Sequence, residues 1–158
     1  MRAAIHRRVL RAGLPLLATT LLLGACSGDD DEASVFSIKP GECFLAPEDV
    51  EAQISDLEEV SCGKPHDHEA YAVVRFASAG EEEPSDEFPG DEALTKFADG
   101  ACAQEFKAYV GVDYLDSTLF YTYLLPSARS WQEDDRSVIC LIAATGEQRE
   151  DSVKGSKL

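Results

Sequence analysis

The chain has 158 residues, with 14 lysines and arginines against 30 aspartates and glutamates, for a formal net charge of -16. That length holds one ordinary domain with tails rather than two domains. A hydrophobic content of 44% is too rich for a wholly disordered chain, and the excess of acid argues against nucleic acid as a partner.

Residues 1–25 contain Arg2, Arg7, Arg8 and Arg11 and no acid. The apolar stretch at 14–23 is too short to span a bilayer comfortably, so the segment reads as an export signal. Leu23-Gly24-Ala25-Cys26 then resembles the lipobox of bacterial lipoproteins, whose cysteine thiol receives a diacylglyceryl group before cleavage. That resemblance implies that Cys26 is the mature first residue and carries the lipid, on the outer face of the cell membrane; the alternative is ordinary secretory cleavage nearby, with Cys26 a free thiol. Residues 26–34 are small and acidic without apolar periodicity, and read as a flexible tether. Its acids are repelled by an anionic lipid surface, which keeps the domain clear of the head groups.

Residues 35–145 form the folded unit. Alternation at 35–39 predicts a short strand, ended by Pro40-Gly41. Residues 46–56 carry no decisive pattern, and 57–62 fit an edge strand. Residues 71–77 are β-branched and aromatic, a better strand. The run at 80–90 holds Glu81, Glu82, Glu83, Asp86 and Glu87 with two prolines and reads as a solvated loop.

The strongest periodicity lies at 91–110. Leu94, Phe97, Ala98, Ala101, Cys102, Phe106 and Tyr109 share one face of an amphipathic helix. Asp91 and Glu92 suit its positive end, Lys107 its negative end, and Gly111 closes it. Gly100 costs about 1 kcal/mol against alanine and marks a place of close packing. A strand follows at 119–125, ended by Pro126, then a helical turn or loop at 127–135 around Trp131. Residues 137–144 are an apolar run expected as a central strand, and 146–158 a disordered polar tail. These elements make an α+β domain, a small and mostly antiparallel sheet with one main helix.

Apart from Cys26 the cysteines are Cys43, Cys62, Cys102 and Cys140, an even number in an exported chain, which favours two disulfides. Of three pairings the reading favours Cys43–Cys62, which is local, and Cys102–Cys140, which ties the helix to a late strand. Loops of these sizes stabilise by roughly 3 and 4 kcal/mol on a chain-entropy estimate. No C-x-x-C occurs, so a thiolate zinc site is not expected.

Pro65-His66-Asp67-His68-Glu69 is the cluster able to carry chemistry. Strand alternation puts His66 and His68 on one side and Asp67 and Glu69 on the other. Two imidazoles at this spacing begin a zinc or copper site, but no third ligand is identifiable. The structural reading has His66 capping the turn after Cys62 and Glu69 paired with Arg75 or Arg136. Trp131, Tyr121 and Tyr123 form either a binding surface or part of the core. No nucleophile elbow, phosphate loop or dinucleotide fingerprint is present, and the acid run lacks the spacing of a calcium loop.

Gly41-Glu42-Cys43-Phe44, Val60 through Tyr71, Phe88-Pro89-Gly90, the helix through Ala101-Cys102 to Gly111, Trp131, and Asp135 through Cys140 together resemble the septum formation domain of actinobacterial exported proteins. The resemblance implies an envelope protein tied to cell division and supplies no catalytic residue or ligand. The reading is therefore a lipid-anchored, non-catalytic binding or scaffold module acting in septum formation or cell-wall assembly. It takes no cofactor and no resident metal, is a monomeric domain, and has the membrane and an envelope or division protein as partners. The alternative is a small metal-dependent hydrolase using His66, His68 and Glu69.

Overall fold

The computed structural model describes residues 32–47, 54–77 and 85–158. The export signal, Cys26, most of the tether and the acids Glu81, Glu82 and Glu83 lie outside the described residues. In chain order the elements are β1 (Glu32–Ser34), β2 (Cys43–Phe44), β3 (Asp56–Val60), β4 (His68–Arg75), α1 (Asp91–Val110), β5 (Phe120–Leu124), α2 (Ala128–Trp131) and β6 (Ser137–Ala143), with short 3-10 turns at Val35–Ser37 and Tyr114–Asp116. Among the described residues the strands form one sheet in the order β1-β3-β2-β4-β6-β5, every neighbouring pair antiparallel. The α+β class holds.

The apolar run at 137–144 is central, as expected. Val138, Cys140 and Ile142 of β6 pack toward α1, while Ile139 and Leu141 pack into a second core on the opposite face with Ile38, Phe44, Leu57 and Ala70. A strand buried on both faces reads as a continuous apolar run rather than an alternation. A bulge in β4 breaks its period: Ala70 pairs with Leu141 and Ala72 with Cys140, leaving Tyr71 as the extra residue. Tyr71 and Ala72 therefore both join the core under α1, and the Tyr71 hydroxyl donates to the Cys102 carbonyl at 2.9 Å.

Helix α1 has the expected bounds. It buries Leu94, Ala98, Cys102, Phe106, Tyr109 and Val110, with Phe97 partly buried. Its N-terminus has no side-chain cap, so Asp91 and Glu92 in the first turn offset the exposed N–H groups. At the other end Gly111 takes φ 92°, a left-handed conformation that a β-carbon would strain, and donates to the Lys107 carbonyl. Gly100 is a correction: it is exposed and a β-carbon there would meet nothing within 4 Å, so it serves no close packing.

Both disulfides form as paired from the sequence, Cys43–Cys62 and Cys102–Cys140. Four other expectations change. The stretch at 35–39 is no strand but begins with a 3-10 turn, Val35–Ser37, and the last three tether residues are β1, an edge strand on β3. The strand expected at an edge, β3, is flanked on both sides, because the two-residue β2 was too short to show a period. The tail is not disordered. Val153 is fully buried, Arg149 and His66 exchange backbone hydrogen bonds, and the Gly155 and Lys157 N–H groups donate to Tyr109 and Val110 carbonyls beyond the normal end of α1. The tail is polar because its contacts are mostly backbone and its own apolar contribution is one valine.

Candidate functional site

The Pro65–Glu69 segment does not run as a strand throughout. β4 starts at His68, and His66 sits before it in an isolated bridge to Arg149. The alternation that would have joined His66 to His68 is therefore broken. His66 instead shares a buried pocket with Glu69 and Cys43: a ring nitrogen of His66, a carboxylate oxygen of Glu69 and the Cys43 sulfur lie within 4.8 Å of one another. All three residues are at most 1% exposed. His68 lies outside this set, half-buried, and burial lowers its pKa while the neighbouring Asp67 charge opposes that. The geometry thus does not assemble the ligand set His66, His68 and Glu69 on which the hydrolase alternative depends.

His66 does brace the turn after Cys62, its Nδ1 lying 2.8 Å from the Lys64 carbonyl. Since a carbonyl only accepts, Nδ1 carries the proton. Glu69 pairs with neither Arg75 nor Arg136. It accepts from the Tyr109 hydroxyl at 2.7 Å, the Ser152 hydroxyl at 2.6 Å and the Val153 N–H at 2.8 Å. A buried carboxylate needs donors of this kind more than a surface cation, and the tail provides two of them. Burial first, and then the hydrogen bond to Glu69, raise the Tyr109 pKa, so its hydroxyl stays a donor. Asp67, by contrast, sits at the surface of this region. Its modest burial raises its pKa, but hydrogen bonds from the Ala46 N–H and the Gln148 side chain carry it below the usual value.

Trp131 and Arg136 belong to the core. Trp131 is 2% exposed, packs edge-on against Phe76 and Phe88, and donates its Nε1–H to the Asp86 carbonyl. Arg136 lies over its ring at 3.9 Å and donates to the Trp131 and Asp135 carbonyls. Tyr121 and Tyr123 face α1 and donate to Asp99. The binding-surface reading of Trp131 is therefore corrected: a ring that needs a partner for its N–H found one inside the fold.

Among the described residues a groove open to binding runs along β5, mainly on the face of the sheet opposite α1. The groove, of about 530 Å³, is lined by Val35, Phe36 and Ile54 on one side, Tyr123, Leu124 and Ile139 at the sheet, and Ser127, Arg129, Ser130, Glu133 and Asp135 along the far rim. Phe36 is 61% exposed there. The rim hydroxyls are committed to structure. Ser127 and Ser130 form the capping box of α2, and Asp135 accepts from the Ser130 hydroxyl and the Ser137 N–H. Tyr123, a candidate binding residue from the sequence, does line this groove, but sequence reasoning missed its other side, because a strand at 35–39 would have tucked alternate residues away, whereas in the 3-10 turn Phe36 is exposed. The Ser127–Ser130 spacing was the part of it that a sequence displays.

The septum formation family model matches residues 40–157, from the turn before β2 into the packed tail. No curated protein and no solved structure matches the chain. The family and the two disulfides are consistent with an exported or envelope protein with a role in cell division.

Proposed function

We propose that this chain, which belongs to the septum formation family, is a non-catalytic binding module of the cell envelope, held to the membrane by a lipid on Cys26. The observation that carries the binding reading is the open groove with an apolar floor and an exposed phenylalanine at its lip. Its serines and Asp135 are spent on capping and turn bonds, so the groove offers contact surface rather than reacting groups. The rim sets Glu133 and Asp135 against one cation, Arg129, and the chain carries a net charge of -16, so the partner it fits is an apolar segment flanked by basic residues.

A photocrosslinking residue at position 36 tests this in living cells, with Gln104 on the exposed face of α1 as the control position. Position 36 is expected to capture one division or wall-assembly protein that position 104 does not, and Leu124→Asp should abolish that capture. Equal, unselective capture from both positions would remove the reading. The anchor is checked separately. Mass spectrometry of the membrane fraction should find a diacylglyceryl-modified Cys26, and Cys26→Ala should shift the protein to the soluble fraction. Unmodified, freely secreted wild-type protein would rule the anchor out.

A further inference from the structure

The buried set Cys43, His66 and Glu69 does more than brace a turn. His66 is fully buried, its Nδ1–H is committed to Lys64, and Nε2 has no hydrogen-bond partner among the described residues. The carboxylate of Glu69 has three acceptor positions filled, two on Oε1 and one on Oε2, which leaves one lone pair on Oε2. A ring nitrogen of His66, a carboxylate oxygen of Glu69 and the Cys43 sulfur thus lie within 4.8 Å of one another in a buried place where the His66 Nε2 has no hydrogen-bond donor, an arrangement that attracts a cation. The third member, the Cys43 sulfur, is held in the bridge to Cys62 and is a poor ligand in that state.

We propose that Cys43, His66 and Glu69 form a zinc site that opens when the Cys43–Cys62 disulfide is reduced. The two ends of that bridge differ. Cys43 is completely buried, whereas Cys62 is half-exposed; Cys102 and Cys140 are both fully buried. A dithiol reductant therefore reaches Cys62 first. Its thiolate attacks the Cys62 sulfur, the Cys43–Cys62 bond breaks, and Cys43 leaves as a thiolate into the pocket. The second thiol of the reductant then displaces Cys62 as a thiol, and the reductant ends as its own disulfide, two electrons having passed to the protein. A dication receives the Cys43 thiolate, the Glu69 carboxylate and the neutral His66 Nε2, which makes a set of zero net charge. That balance suits a site with no water to screen it. A mixed sulfur, nitrogen and oxygen set suits zinc, and the bond from Nδ1–H to a backbone carbonyl is the support such a histidine ligand uses.

Cys62→Ser tests the site without a reductant, since it leaves Cys43 as a free thiol and alters only a half-exposed position. The purified variant is titrated with zinc for stoichiometry and with cobalt for its spectrum. The expected result is one metal per chain, with the thiolate-to-cobalt charge-transfer band that surface carboxylates cannot give. Oxidised wild type should show no such band. Adding His66→Ala to the variant should weaken binding by about a hundredfold or more, beyond what loss of a supporting group causes. Wild type reduced with a dithiol that is then removed should reproduce the band, which keeps the test decisive if Cys62→Ser folds poorly. Two results would overturn the proposal: no thiolate–cobalt band in either reduced form, or binding indifferent to His66→Ala. A proton held between His66 and Glu69 in place of metal would give the first of these.

Discussion

Replacing Cys102 and Cys140 together by alanine is expected to lower the unfolding free energy by about 2–5 kcal/mol, the larger of the two disulfide losses. The bridge joins the middle of α1 to the middle of β6 across a sequence separation of 38 residues, against 19 for Cys43–Cys62. Chain entropy alone separates the two loops by only about half a kcal/mol. Position decides the rest. Cys102 and Cys140 are fully buried between the helix and a strand packed on both faces, so two alanines leave sulfur-sized voids that the neighbours fill incompletely. Tyr71 is anchored on the Cys102 carbonyl and touches Phe106 and Tyr121 edge-on, so any shift of α1 disturbs an aromatic cluster as well. Urea unfolding of the double variant under non-reducing conditions, with Cys43–Cys62 intact, measures this. A loss below about 1 kcal/mol would mean that packing, and not the bridge, holds the helix to the sheet.

What the sequence displayed and what it hid divide along physical lines. Helix α1 was legible to its ends because every signal agreed: a 3.6-residue apolar period, acids at the start, Lys107 and Gly111 at the finish. β6 was legible because a strand covered on both faces writes itself as an uninterrupted apolar run. The disulfide pairing was favoured because Cys43–Cys62 is local and Cys102–Cys140 ties that helix to that strand, and both bridges form. By contrast β2 spans two residues and has no period to read, yet it carries Cys43 into the buried pocket and separates β3 from β4. Glu69 misled for a different reason. Its charge suggested an arginine, Arg75 or Arg136, but its donors are a tyrosine, a serine and a backbone N–H lying 40, 83 and 84 residues away. No local pattern encodes that. Trp131 was read as equally suited to a surface and a core, and only the fold, which places Arg136 over its ring and a carbonyl at its N–H, distinguishes them.

Removing residues 147–158 should destabilise the domain by roughly 3–5 kcal/mol, about as much as breaking a buried charged pair. The segment looks dispensable by composition, with one apolar side chain wholly buried, Val153. Its effect comes through Glu69. Deletion removes the Ser152 hydroxyl and the Val153 N–H, so a carboxylate that is 1% exposed in the intact chain keeps only the Tyr109 hydroxyl of its three donors. It also ends the backbone exchange between Arg149 and His66 and leaves the Tyr109 and Val110 carbonyls without the Gly155 and Lys157 N–H groups. A stranded carboxylate predicts a specific non-additivity. In a Glu69→Leu background there is no buried charge to strand, so the same deletion should cost at least about 1 kcal/mol less than it does in wild type. Glu69→Leu alone should itself be destabilising, because it leaves the Val153 N–H and two hydroxyls without their acceptor. The four unfolding free energies, wild type, each single change and both together, form a double-mutant cycle. A cycle that closes additively would show that the tail acts only as a cover for Val153 and the end of α1, with the carboxylate held by other means.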